Sequence, residues 1–246
     1  MRFAIVTDIH ANREALEAVL ASLERLRIDR YICLGDVVGY GADPKWCLQT
    51  IRDTCELTIM GNHDAAISGK MDFSYYYDAA RQVLEWTRQQ LDPDELEWLA
   101  NLPYSQVDED TGQCFTHGDP IMPENYNYIY TLQHAQDLLH FHEELKYLTW
   151  VGHSHLRRIF RFESEEMVRE VVPENIVLDP QYKYLIAAGG VGQPRDNDPR
   201  TGFVVYDSDT QKATFHRLEY DIAKAAQKII DAGLPHGFAY RLYNGV

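Results

Sequence analysis

Through the first 65 residues, short apolar runs ending in small polar clusters alternate with amphipathic segments. Residues 1–8 are mostly apolar and read as a strand. Asn12 then offers an N-cap, and Leu16, Val19, Leu20, Leu23 and Leu26 recur at helical spacing. Residues 31–34 read as a second strand, Pro44 opens a helix running to Thr54, and 57–60 read as a third strand. Strand and helix in alternation predict a parallel βαβ core.

The middle of the chain has helical spacing. One helix is predicted over 75–91, and Asp92-Pro93-Asp94-Glu95 opens another with a capping-box pattern and Pro at the first helical position. Strands are predicted at 104–107 and 113–116, a helix at 132–141 and a strand at 147–151. The last third predicts strands at 158–162, 168–172, 184–188, 203–206 and 212–218, which read as a second, largely antiparallel sheet. A helix over 222–232 and a tail containing Gly and Pro close the chain. There is no internal repeat, low-complexity tract or long polar linker. The pattern predicts an α/β fold of two face-to-face sheets with helices outside. It forms one domain over 1–246, in which the helices of 68–103 make a partial cap.

Composition narrows the function classes. The 246 residues are 45% apolar and 25% charged, as in soluble globular proteins. No window approaches the roughly 18 uninterrupted apolar residues of a membrane span, and Phe3-Ala4-Ile5-Val6 runs straight into Thr7-Asp8, too short for a signal peptide. The expected location is the cytoplasm, with no membrane partner. Cys33, Cys47, Cys55 and Cys114 form no Cys-x-x-Cys pair, so neither a zinc knuckle nor a disulfide framework is expected. The net charge of −15, from 38 acidic residues against 23 Lys and Arg, repels long polyanions and disfavours DNA or RNA as partners. Divalent cations in a site would reverse that repulsion locally and attract a phosphate.

The candidate chemistry lies in five short motifs: Asp8-Ile9-His10, Gly35-Asp36, Gly61-Asn62-His63-Asp64, His117-Gly118-Asp119 and Gly152-His153-Ser154-His155. Four of them follow a predicted strand directly. In an open α/β sheet the loops leaving the carboxyl ends of strands are where ligands bind, so residues far apart in sequence can converge there. Asp, His and Asn together suit a pair of divalent ions, and a carboxylate such as Asp36 can bridge two cations. Asp8 and His10 alternate, as do His153 and His155, so each pair must sit in an irregular turn for both side chains to reach one ion. Each motif alone is weak; an Asp-x-His arises by chance, and Gly-Asp marks a turn. Their joint order at strand ends carries the argument.

That set resembles the calcineurin-like metallophosphoesterase superfamily, whose pattern runs Asp-x-His, Gly-Asp, Gly-Asn-His-Asp/Glu, a later His, and Gly-His-x-His. The match spans residues 8 to 155, and Gly190-Val191-Gly192-Gln193-Pro194-Arg195 is similar to a loop of the small prokaryotic phosphodiesterase branch. The resemblance implies a four-layer α/β/β/α sandwich of two mixed sheets. It also implies two metal sites: Asp8, His10, Asp36 and His155 for one ion, and Asp36, Asn62, His117 and His153 for the other. A hydroxide held between the ions, about 3.5–4 Å apart, would attack phosphorus. His63 would ligate neither ion and would serve the leaving group, with Asp64 orienting its ring. Mn²⁺ is the expected ion, with Fe, Zn²⁺, Co²⁺ or Ni²⁺ as substitutes.

Departures from the pattern matter too. Protein Ser/Thr phosphatases of this superfamily carry an Asp-Arg pair shortly after Gly-Asp, where this chain has Val37-Val38-Gly39-Tyr40-Gly41. Without that arginine clamp, a phosphodiester or phosphoanhydride of a small or nucleotide-like molecule is the expected substrate. A phosphomonoesterase, or a metal-binding interaction scaffold without turnover, is the alternative. Arg195 either contacts the phosphate or pairs with Asp196 or Asp198; for Arg200 the pairing is expected. Tyr126, with Tyr128 and Tyr130, either lines the mouth of the site or packs against the core or a subunit partner. His134, His140, His142, His216 and His236 are expected at the surface. A homo-oligomer stays open.

Overall fold

The computed structural model describes residues 1–246. The chain runs β1 (Arg2–Val6), α1 (Arg13–Leu23), β2 (Arg30–Cys33), α2 (Pro44–Thr54), β3 (Leu57–Thr58), α3 (Asn62–Ser68), α4 (Asp78–Gln90) and α5 (Pro93–Ala100). It continues through β4 (Ser105–Val107), β5 (Cys114–Thr116), α6 (Leu132–Asp137), β6 (Leu148–Val151), β7 (Arg157–Ser164), β8 (Met167–Val171), β9 (Ile176–Val177) and β10 (Lys183–Ala188). The last elements are β11 (Thr201–Asp207), β12 (Lys212–Leu218), α7 (Ile222–Asp231) and α8 (His236–Asn244). No helix is long and apolar enough to cross a membrane.

Two mixed six-stranded sheets result, in the orders β3-β2-β1-β11-β12-β9 and β4-β5-β6-β10-β7-β8. Alternation along the strands decides which side chains meet between them. Phe3, Ile5, Ile32 and Leu34 of the first sheet face Phe115, Trp150, Tyr184 and Ile186 of the second, in one fully buried cluster. The opposite face of the first sheet, with Ala4, Val6, Cys33 and Val205, shares one cluster with Leu16 and Val19 of α1, Leu48 of α2, Leu84 of α4 and Leu99 of α5. On the far side, Phe160, Phe162 and Leu185 pack under Ala135 of α6 and Leu138 just beyond it. The layers are therefore α/β/β/α, as the resemblance implied.

Several sequence expectations need correction. The strands of the last third do pair antiparallel, but they do not form a sheet of their own. β7, β8 and β10 extend the second sheet, while β11 inserts beside β1 in the first. Hydrophobic alternation sets which face a strand buries, not which sheet it joins. The Gly/Pro tail contains α8: Pro235 stands at its N-cap, Gly237 lies in its first turn, and Phe238, Ala239 and Leu242 form its buried face. The helix expected over 75–91 begins only at Asp78, leaving Tyr75–77 in a turn. The helix expected over 132–141 stops at Asp137 and ends in a 3₁₀ turn.

Candidate metal centre

Within each sheet three strands run parallel: β1, β2 and β3 in one, β5, β6 and β10 in the other. Their carboxyl ends carry all five motifs and the Gly190–Arg195 loop. Side chains separated by up to 147 positions thus meet at one edge of the sandwich. Asp8, His10, Asp36, Asn62, His117, His153 and His155 are all buried, none more than 7% exposed.

The turns that aim these side chains are left-handed. Asp8, His10, Asp36, His153 and His155 have φ between 47° and 63°. A residue with a Cβ gives up on the order of 1–2 kcal/mol there, and such strain gathers where structure around it holds it. Backbone bonds hold it here. Asp8 N–H donates to Gly35 O (2.9 Å) and His10 N–H to Asp36 O (2.9 Å), zipping the first two motifs together. Asp8 O accepts from Gly192 N (2.8 Å), which brings in the loop after β10. Only glycine fits at 192 and 61: a Cβ on Gly192 would lie 1.8 Å from Ile9 O, and one on Gly61 2.1 Å from Asp36 Oδ1.

Two groups of side chains that could ligate a metal, each drawn within 4.8 Å, are Asp8, His10 and His155, and Asp36, His117 and His153; a third, overlapping both, adds His63 to His10 and Asp36. In the first, His10 Nδ1 lies 3.3 Å from Val38 O, and His155 Nδ1 contacts Gln193 O. A ring nitrogen facing a carbonyl must carry the proton, which leaves Nε2 with its lone pair. The two Nε2 atoms then face each other at 3.1 Å as two acceptors. Asp8 Oδ1, 3.3 Å from His155 Nε2, is buried without a hydrogen-bond partner. Acceptors crowded at this spacing suit a shared cation, since bonds of about 2.0–2.2 Å put neighbouring ligands roughly 3 Å apart.

The second group shows the same signs. His117 Nδ1 is fixed by Leu34 O (2.7 Å), and its buried Nε2 lacks a hydrogen bond while lying 3.4 Å from Asp36 Oδ2. Asn62 Oδ1 is likewise orphaned, because its amide is held from the other side: Nδ2 donates to Tyr76 Oη (3.1 Å). Asp36 stands between the groups. Its Oδ1 accepts from His63 N (2.8 Å), and its Oδ2 lies 3.6 Å from His10 Nε2 as well as close to His117. The residues present therefore fit a pair of divalent ions.

Burial and mutual charge set the protonation states. Burial pulls His10, His153 and His155 well below the usual imidazole range, which keeps them neutral for ligation. Burial pushes the Asp8 carboxyl up to about 7. Burial also works against ionised Asp36, but the His117 and His63 imidazoles outweigh it and hold the carboxyl well below its ordinary range. His117 is the counterpart: burial opposes its charge, and Asp36 raises it to about 9.

His63 lies beside the groups, with its ring 4.8 Å from that of His10 and 4.4 Å from that of Tyr40. It too falls within 4.8 Å of His10 and Asp36, so distance alone would admit it as a ligand. Burial brings its pKa down to about 4, so the ring is neutral at pH 7. Asp64 does not orient that ring, contrary to expectation. Its oxygens accept instead from the backbone N–H groups of Gly61, Val37 and Val38 (3.0–3.3 Å), binding the second motif to the third. As the third residue of α3, it is turned back toward the helix start to cap it. The His63 ring rests instead against Gly39, where a Cβ would come within 2.4 Å of Nδ1.

Above this floor opens a cavity of about 420 Å³ with Arg195 as its single cationic side chain. Arg195 pairs with neither Asp196 nor Asp198; it donates to Gln193 Oε1 (3.1 Å). Asp196 instead engages Arg157 and Arg217, and Arg200 pairs with Asp198 (2.7 Å) as expected. Tyr126 is buried and lines the cavity with its ring 6.0 Å from that of His117, while Tyr128 stacks on His153 at 3.9 Å. Sequence reasoning missed Tyr40, which packs on both His10 and His63. Its placement between Gly39 and Gly41, directly after a ligand motif, was the available signal. His216 is not a surface residue either: it is half-buried and stacks on Phe203 at 4.6 Å.

Comparisons with known proteins agree with this geometry. A family model described as calcineurin-like phosphoesterase matches residues 1–189. An uncharacterised protein of Methanocaldococcus jannaschii is 35% identical over 244 residues, covering 98% of this chain and 97% of its own. The crystal structure of a metallophosphoesterase from Sphaerobacter thermophilus superposes with a TM-score of 0.86 at 37% identity, covering 100% of this chain and 99% of that one. A hypothetical protein from Pyrococcus horikoshii shares the fold at 20% identity, with a TM-score of 0.78 and coverage of 100% and 98%.

Proposed function

Since this chain belongs to the calcineurin-like phosphoesterase family, we propose that it hydrolyses a phosphodiester or phosphoanhydride bond of a small or nucleotide-like molecule at a dinuclear metal centre. The observation that carries the reading is Asp36. Its Oδ2 faces an imidazole of each ligand group, and its Oδ1 is anchored by a backbone amide. Asp8, His10, Asp36 and His155 would hold one ion, and Asp36, Asn62, His117 and His153 the other, with Mn²⁺ the first to supply. Bound there, the ions supply Lewis acidity toward the phosphoryl oxygens and lower the pKa of water.

The chain's own groups do the rest. His63, neutral and held against Gly39, donates an N–H to the leaving oxygen as negative charge builds there. Asp64 keeps His63 in place indirectly, by fixing the turn from which it projects. Arg195 presents its guanidinium to the phosphoryl group, positioned by Gln193, whose carbonyl also fixes His155. One guanidinium matches the single charge of a diester better than the double charge of a monoester. The segment 68–103 acts as a partial cap through Tyr75–77 at the rim. The unpaired thiols suit a reducing, cytoplasmic setting.

Hydrolysis of bis(4-nitrophenyl) phosphate and 4-nitrophenyl phosphate by metal-stripped protein, with and without added Mn²⁺, tests the reading. Metal-dependent turnover favouring the diester is the expected result. Preference for the monoester would make the protein a phosphatase with Arg195 as its clamp. No turnover of either by protein carrying two ions would leave a scaffold.

A further inference from the structure

A second cavity, of about 450 Å³, lies beside the first. Tyr128 lines both, and its ring stacks on His153 with the planes 15° apart. The partition between the cavities thus stands directly on a residue of the ligand set. His63 and Arg195 line the first cavity only, while no candidate ligand lines the second. Its walls include Met122, Tyr130 and Phe141, exposed by 47%, 38% and 37%. Next to a strongly polar centre, this is apolar surface left uncovered. The Tyr130 ring stands edge-on to that of His134, with centroids 5.0 Å apart.

We propose that this second cavity is the subsite for the retained organic arm of a two-armed phosphodiester, with the leaving arm in the tyrosine-walled cavity and the scissile phosphorus at the candidate metal centre. The inference rests on the hydrolase reading and specifies its substrate. In the reaction, the oxygen of water bonds to phosphorus, the P–O bond to the leaving arm breaks, and a proton ends on the leaving oxygen. The products are an alcohol or phenol and a monoester that keeps the other arm. Because His63 lines the first cavity, the leaving oxygen belongs there. The retained arm must leave phosphorus in another direction, and Tyr128, which lines both cavities, is the flat ring it meets there.

The walls also select the arm. Asp119 and Asp137 lie in the second cavity, and no Lys or Arg does, so an arm carrying further phosphates is excluded. Asp119 is already engaged by the N–H groups of Ile121, Met122 and Asn127. What fits is an uncharged flat ring, stacked on Tyr128 or Tyr130. A nucleoside meets that description, and both cavities fall in the size range of small-molecule sites, about 300–1,000 Å³. The substrate class is a diester joining two nucleoside-like groups through one phosphate.

The test holds the leaving group constant and varies the retained arm. The Mn²⁺-loaded full chain is given methyl 4-nitrophenyl phosphate, phenyl 4-nitrophenyl phosphate and thymidine 5′-(4-nitrophenyl phosphate). The expected result is a kcat/KM about tenfold or more higher for the two flat arms than for methyl. That ratio should collapse toward one in Phe141→Ser and, independently, in Met122→Ala. Equal kcat/KM for all three, or a ratio that survives both substitutions, overturns the proposal while leaving the hydrolase reading intact. Absence of turnover of all three esters removes the hydrolase reading and this inference together. A dimer that Phe141→Ser splits, with selectivity unaltered, assigns the surface to a second copy of the chain and overturns the proposal as well.

Discussion

Asp36 and Tyr75 line the same cavity, yet one is 1% exposed and the other 71%. The contrast holds for the regions they represent. The floor is assembled from strand ends of both sheets. Its side chains are buried, and many of their polar atoms are fixed by backbone groups: Asp36 Oδ1 by His63 N, His117 Nδ1 by Leu34 O, Asp64 by three amides. The rim is made of excursions from the sheets, in the turn before α4 and in the stretch between β5 and α6, and Tyr77 and Tyr128 are 58% and 44% exposed. Precise placement of ligands needs rigid supports, and recognition is left to loops that the supports carry. A floor of this kind can keep one chemistry while its rim is rebuilt for another substrate.

The largest break in that contrast should come from the residue both ligand groups share. Asp36→Ala should reduce bound metal, counted per chain by plasma mass spectrometry of the digested protein, to one loosely held ion or none, and abolish turnover. Two tightly held ions in the variant would end the bridging assignment. His63→Ala should cut turnover on the order of 10²–10⁴-fold with both ions retained. Loss of metal in that variant would make His63 a ligand, which its distance to His10 and Asp36 permits. The smallest effect should come from the place where rim meets floor. Tyr76→Phe deletes the hydroxyl that accepts from Asn62 Nδ2 and frees the amide to turn. Removing such a supporting partner lowers metal affinity roughly 10–100-fold, here at the Asn62, His117 and His153 group alone. Titration with Mn²⁺, followed by ion-resolved binding steps, should show the first step unmoved and the second weakened. Two unchanged steps would separate rim from floor completely.

How much of this was legible in the sequence depends on the range of the forces involved. The motif residues could be read because a strand followed by a polar cluster is a local pattern, and parallel strands carry such clusters to a common edge. The helical layer over the first sheet followed from spacing, as with Leu16 and Val19. What was not legible is long-range. Nothing in residues 201–207 states that they pair with β1 rather than with β10. Asp64 could not be assigned without knowing that α3 begins at Asn62, which turns its carboxylate toward Gly61 and away from the neighbouring ring. α8 was hidden by Pro235 and Gly237, although Phe238, Ala239 and Leu242 already marked a buried stripe.

The position of β1 has a consequence for how the molecule is made. Of the twelve strands it is synthesised first, yet it lies inside its sheet, with β2 on one side and β11 on the other. The second neighbour ends at Asp207, so at an elongation rate of about 5–20 residues per second the first strand waits roughly 10–40 s with an open edge. The loop whose Gly192 amide grips Asp8 emerges only shortly before that strand. The floor of the candidate site is therefore among the last parts to close, and during that interval the nascent chain presents an unpaired apolar strand that a chaperone, or a neighbouring nascent chain, is free to meet.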